Sequence, residues 1–214
     1  MAAPPDLTTS DFSGTYILNK TLTDTTATDT ILQLQGVSWW TRKAISLGTI
    51  TLYIKHYTST PESPSPKSKS KSNSVEHIDI DQTITGGIPG TTELRTLDWA
   101  ARESNDRIFG NVVGQSRRLS KTQLDAEIGD EARFLKEGWT EDSLERGVVQ
   151  SYVWSDTPKS GTKWIGNQIW GMEVINGERR YVRHLKFTGP NDEDIETRLI
   201  YDYRGPLATK IRGV

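Results

Sequence analysis

The strongest constraint on the fold is a succession of short segments in which apolar and polar residues alternate, separated by turn signals and never interleaved one for one with helices. Phe12 to Lys20 puts Phe12, Gly14, Tyr16 and Leu18 on one face at period two. Thr49 to Tyr57 puts Ile50, Leu52 and Ile54 on one face and Thr51, Tyr53, Lys55 and Tyr57 on the other. The same patterning predicts strands at 75–85, 91–99, 107–119, 147–155, 163–175, 179–188 and 195–203, with Gly86-Gly87-Ile88-Pro89-Gly90 and Asn176-Gly177 as turns. Nine or ten antiparallel strands in a meander favour a mainly β chain closed into an up-and-down barrel, with a sandwich as the alternative. Closure removes exposed edges, and a barrel of this strand number leaves room for one small ligand.

Three segments depart from the alternation. Asp24–Gln35 and Ser38–Leu47, parted by Gly36, carry apolar residues at helical spacing and predict two short helices between the first and second strands. Residues 58–74 hold seven Ser, three Pro and three Lys in 17 positions, too little apolar surface to offset ordering, and are expected to form a disordered loop insertion. Residues 120–146 carry eight Asp/Glu against four Lys/Arg around Leu124, Ile128, Phe134, Leu135 and Trp139, which predicts one or two acidic amphipathic helices, an insertion or flap. A single barrel domain over 11–204 and a disordered basic tail account for the rest.

Charge and composition narrow the function. Twenty-six Lys+Arg against 28 Asp+Glu leave a net charge of −2, without the basic excess that nucleic acid binding needs. Mean hydropathy is −0.59 and no long uncharged apolar run is present, so no membrane span is expected. Without cysteine there is no thiolate nucleophile and no thiolate-held metal. His56, His77 and His184 lack metal-site spacing, the Gly110–Gly114 segment lacks the Lys-Ser/Thr of a phosphate loop, and no nucleophile elbow is present. The N-terminal segment has no secretory pattern, so a cytoplasmic chain, monomeric or weakly dimeric, is the expectation.

The opening Phe12-Ser13-Gly14-Thr15-Tyr16 and the block Gly36-Val37-Ser38-Trp39-Trp40-Thr41-Arg42-Lys43 resemble the intracellular fatty-acid-binding proteins of the lipocalin-like calycin superfamily. Weaker matches run through Asn105-Asp106-Arg107, Val149–Trp154, Met172–Gly177 and Thr197-Arg198. The resemblance implies a barrel capped by a two-helix lid, with Trp39 and Trp40 in that lid, and a ligand inside. That family typically grips a carboxylate with two arginines and a tyrosine. Here the position matching the first arginine is Met172, and Arg198-Leu199-Ile200-Tyr201 has one residue more than the family's Arg-x-Tyr, which puts Arg198 and Tyr201 on opposite faces unless a bulge intervenes.

The inward face implied by the resemblance carries Tyr152 and Trp154, then Gln168, Trp170 and Met172, then Tyr181 and Arg183, with Tyr53 as a further ligand-binding candidate. Arg183 either replaces the lost clamp, polarises a ligand carbonyl, or is a surface arginine on a strand that faces the other way. Each tryptophan taken alone could equally be a core plug. The leading reading is a cofactor-free cyclase of the Diels–Alderase type in natural-product biosynthesis, similar in size and style to small fungal lipocalin-like cyclases. It would fold a hydrophobic polyketide- or terpenoid-like polyene, with Arg183, Gln168 or Tyr152 hydrogen bonding to a carbonyl. The alternative is a non-catalytic carrier of a hydrophobic ligand, and a protein-interaction module using 120–146 has least support.

Overall fold

The computed structural model describes residues 1–60, 74–86 and 90–207. Ten strands form one antiparallel sheet: β1 (Gly14–Leu18), β2 (Ile50–Ser59), β3 (Val75–Ile84), β4 (Thr92–Thr96), β5 (Arg102–Asp106), β6 (Gly110–Leu119), β7 (Val148–Ser155), β8 (Ile165–Ile175), β9 (Glu178–Thr188) and β10 (Asp194–Gly205). Each strand pairs with its sequence neighbour except that β1 pairs with β10, and β4 and β5 remain as the two edges. The result is a nearly closed up-and-down barrel with one seam, not a fully closed one. Hydrogen bonds bridge that seam. Arg118 on β6 donates to both carboxylate oxygens of Glu76 on β3, and the backbone N–H of Trp99 donates to the Ser116 carbonyl at 2.8 Å. No helix among the described residues is long and apolar enough to cross a membrane.

The sequence reading gave no strand over β5 and started β6 three residues early, at Arg107. Arg-Glu-Ser-Asn-Asp in β5 has no alternation to betray it, since it lies almost wholly exposed. The turn is made by Asp106, whose Oδ1 accepts the N–H groups of Ile108 (2.7 Å) and Phe109 (2.9 Å), under two apolar residues that read as strand. β2 also runs two residues past Tyr57, pairing Thr58 with Glu76 and Ser59 with Val75. Most of the 58–74 insertion, the middle of the Gly86–Gly90 turn and the end of the tail lie outside the described residues.

Two helices sit between β1 and β2 as the sequence predicts, α1 (Thr25–Leu34) and α2 (Trp39–Leu47). Asp24 caps α1 by accepting from the N–H groups of Thr26 and Ala27, and Gly36, at φ +84°, makes the turn between the helices. Only α1 acts as a lid: it buries Ile31 and Leu32, whereas α2 buries no residue. Arg42 on α2 pairs with Asp29 on α1, and the Lys20 ammonium donates to the carbonyls of Ile45, Ser46 and Gly48, closing the C-terminal end of α2.

The 120–146 segment folds into three short pieces, α3 (Lys121–Glu127), a 3-10 helix (Asp130–Lys136) and α4 (Glu141–Arg146). It is a packed outer layer. Leu124, Ile128, Leu135 and Trp139 cover Ile169, Val182 and Ile200, the outward residues of β8, β9 and β10. Each fully buried side chain of this kind contributes about 1.5–3 kcal/mol. Gly171 lets the Trp139 ring lie against β8, since a Cβ there would sit 2.8 Å from Trp139 Cε3. Beneath this layer His184 stacks on Phe134 (4.7 Å) and Trp139 (4.1 Å), with Nε2 2.9 Å from Glu173 Oε2.

Inside the barrel, Phe12, Tyr16, Leu52, Ile54, Ile78, Ile80, Trp170, Met172 and Tyr181 fill one end, and Ala3 and Leu7 of the N-terminal segment join them. Toward the other end Ile31, Val112, Trp164, Leu185 and Phe187 pack beneath α1. The interior between the two is not filled.

Candidate functional site

A cavity of about 470 Å³ occupies that space, bounded by α1, the edge strands β4 and β5, and the inner faces of β6, β8 and β9. This volume suits a drug-sized molecule. Strand register decides what faces it. Trp170 pairs with Val149 on one side and Arg183 on the other, and Gln168 pairs with Ser151 and Leu185, so these side chains share the inner surface.

Arg183 is the centre of the polar part. It is 3% exposed, and its guanidinium carbon lies 4.1 Å from the Trp170 ring centroid, 5.6 Å from that of Tyr201 and 5.7 Å from that of Tyr181. Nε donates to the Tyr181 hydroxyl (2.9 Å) and Nη1 to Glu93 Oε1 (3.4 Å), while Nη2 is buried without a partner among the described residues. Burial opposes the charge, but Tyr181, Glu93 and Tyr201 outweigh it and keep Arg183 protonated. Burial pushes the phenols of Tyr181 and Tyr201 up, so both stay neutral donors. Burial also pushes Glu93 up, yet Arg183 and Arg95 overcome it and hold its carboxyl below the ordinary value. Glu93 thus shares one negative charge between two arginines, with Arg95 Nη2 at 3.0 Å from Oε2, and the group carries a net positive charge.

Gln168 Oε1 accepts the indole N–H of Trp170 (2.8 Å), which turns the amide NH₂ away as a donor. Next to it in the same row across the sheet, the hydroxyls of Ser151 and Ser116 are buried without partners. Arg183, Gln168 and Ser116 thus form a polar strip in the wall of a cavity whose apolar part includes Ile31, Val112, Leu185 and Phe187. Such a strip can bind and polarise an oxygen acceptor on an otherwise apolar molecule.

The predicted site residues divide accordingly. Arg183, Gln168 and Tyr201 line the cavity. Trp170, Met172 and Tyr181 point inward but are fully buried beside it; the first two rings named with Arg183, Trp170 and Tyr181, support the guanidinium, and Met172 fills the core. Tyr152 and Trp154 do not face inward: Tyr152 pairs with Asn167 on the outer surface, and Ser151 and Val153 take the inner one. Arg198 is also outside, donating to Glu173 Oε1 at 2.7 Å, on the opposite face from Tyr201. Tyr53 lies on the outer face of β2, opposite Leu52 and Ile54, and is 41% exposed. Trp39 and Trp40 stack edge to face at 4.6 Å on the solvent side of α2, 56% and 77% exposed, rather than over the cavity.

Sequence reasoning missed Glu93 and Arg95. In Thr-Glu-Leu-Arg-Thr of β4 the register against Ile80 and Ile78 turns the two charges inward and leaves Leu94 70% exposed. That inversion of the ordinary pattern was the available signal, because a strand that buries charge beside a cavity is equipping a site.

No family model matches the chain. Two curated proteins are similar to it along nearly the whole length. The probable pericyclase scpY of Mollisia scopiformis is 27% identical over 209 residues, spanning 98% of this chain and 98% of that one. The pericyclase pydY of an Acremonium species is 27% identical over 208 residues, spanning 97% of this chain and 100% of the relative.

Proposed function

We propose that the chain is an enzyme, a pericyclase of secondary metabolism that takes a hydrophobic polyene-bearing polyketide or terpenoid into the barrel and promotes its intramolecular cyclisation without a cofactor. The observation that carries this reading is Arg183, a buried cation with an unpartnered N–H in the wall of a largely apolar cavity. The full-length similarity to proteins named pericyclases supports the reaction class. The resemblance to fatty-acid-binding proteins supports an interior ligand.

The chemistry asks little of acid–base groups. A ring-closing cycloaddition converts two π bonds into two σ bonds, moves no proton and releases nothing. The cavity contributes by holding diene and dienophile as a near-attack conformer, which removes part of the entropic barrier. Arg183, with the Gln168 amide, donates to a carbonyl conjugated with the dienophile and stabilises the charge that gathers there as the bonds form. Removal of one such donor typically costs 10²–10³ in rate. Incubation with a linear substrate bearing a diene and a carbonyl-activated alkene should give a product of unchanged mass and altered retention time. Reversible binding with no isomer formed would reject the cyclase. One observation favours a carrier instead: a guanidinium flanked by the phenols of Tyr181 and Tyr201 is also a carboxylate grip. The same incubation separates the two, since a carrier returns its ligand unchanged.

A further inference from the structure

The lining of the cavity shows where it opens. β9 contributes alternate residues, Arg183, Leu185 and Phe187, as a strand does when one face covers a cavity. β4 contributes all five of its residues, and β5 the consecutive Arg102, Glu103 and Ser104. Both faces of a strand reach one cavity only where that cavity passes the strand's edge. The opening is therefore lateral, through the unpaired gap between β4 and β5.

Arg95 stands at this mouth. It pairs with Ile78, which is fully buried inside the barrel, so its side chain is directed inward, and its Nη1 lies 3.1 Å from where a Cβ on Gly114 of β6 would be. The guanidinium thus spans the gap on its inner side, in space that Gly114 leaves free. Nε and Nη2 both donate to Glu93 Oε2, at 3.3 and 3.0 Å, and Nη1 has no partner among the described residues. Unlike Nη2 of Arg183, this nitrogen keeps accessible surface, and the Arg95 side chain is 19% exposed against 4% for Arg183. Other charges around the cavity are engaged elsewhere. Arg102 gives both Nη groups to Asp98 (2.7 and 2.6 Å), and Glu103 pairs with Lys159. Asp106 holds the turn after β5 and pairs with Gly110, four residues or about 13 Å along β6 from Gly114. Arg95 and Arg183 against Glu93 therefore leave one positive charge over at the mouth. We propose that Arg95 is a specificity-determining residue whose Nη1 binds an anionic oxygen of the substrate, such as a carboxylate, so that the cavity takes an amphiphile with its acid end at the β4–β5 mouth. The inference rests on the reading of this cavity as the substrate site. The apolar remainder then lies inward, against Ile31, Leu185 and Phe187, and a chain held at one end has fewer folds open to it, which favours ring closure.

The test uses displacement of N-phenyl-1-naphthylamine from the purified protein by dodecanoate and by methyl dodecanoate, which differ in charge and hardly in shape. A cavity without a free cation prefers the uncharged ester, because the acid must shed its hydration. Wild type should reverse that order and bind the acid about tenfold more tightly, the gain of one charge-assisted hydrogen bond. Arg95→Gln should weaken the acid by about tenfold or more and leave the ester within about twofold. A wild type that binds the ester as tightly as the acid, a comparison that needs no variant, overturns the inference alone. So does an acid preference that survives Arg95→Gln. Failure of both ligands to displace the probe overturns the inference together with the substrate-cavity reading.

Discussion

Replacing Arg183 with Met should separate catalysis from stability. At 3.4 Å and an effective dielectric of about 20, the attraction between Arg183 and Glu93 is about 5 kcal/mol, and a desolvated cation on Trp170 adds about 2 kcal/mol. Against this stands the removal of a guanidinium from water, several kcal/mol in a site 3% exposed. Met fills much of the same volume and stays in contact with the aromatic rings. Glu93 keeps Arg95, so no carboxylate is stranded, and the Tyr181 hydroxyl oxygen loses the Arg183 Nε–H donor at about 1 kcal/mol. The opposing terms nearly cancel, and urea unfolding followed by tryptophan fluorescence should shift by no more than about 1–2 kcal/mol. Cyclisation of the linear substrate should fall by about 10²–10³, because the donor acts on charge that develops only in the transition state. A variant that folds normally and turns over at the wild-type rate would refute the role of Arg183. A loss above about 4 kcal/mol would instead show that the arginine holds the barrel together.

Acid should loosen the seam between the edge strands. Burial pushes Glu76 up, but hydrogen bonds from His56 and Arg118 bring it down to about 2 from 4.5, so its ionised form stabilises the fold above about 4.5 and that contribution fades as pH falls toward 2. Glu76→Gln should remove this part of the acid dependence in urea titrations, about 1–2 kcal/mol after solvent screening, and an unchanged pH profile would contradict it. Gly171→Ala should cost about 1–3 kcal/mol by thermal unfolding, because the new Cβ forces Trp139 off β8. Tyr152→Phe should leave turnover within twofold of wild type, since its hydroxyl lies outside the barrel, and a loss above tenfold would mean that the outer face takes part.

Strand number, antiparallel order and the two helices were legible because they rest on periodicity, which buried strands and amphipathic helices must display. The facing of β7 was not. Ser-Tyr-Val-Trp offers an aromatic face and a face of Ser151 and Val153, and a hydrophobic rule sends the larger residues inward. A cavity reverses that preference. Space for a ligand exists only where the inner residues are small, so Ser151, Ser116, Gly114 and Gly166 leave room while Tyr152 and Trp154 are turned to the outside. The same logic explains β4, where Glu93 and Arg95 face inward although Leu94 would gain more by burial, because a packed interior has no use for two arginines around one carboxylate and a binding cavity does. In a barrel that holds a ligand, the strands that contradict the hydrophobic pattern are the ones that mark the site, whereas β2, whose Leu52 and Ile54 obey it fully, contributes only to the core.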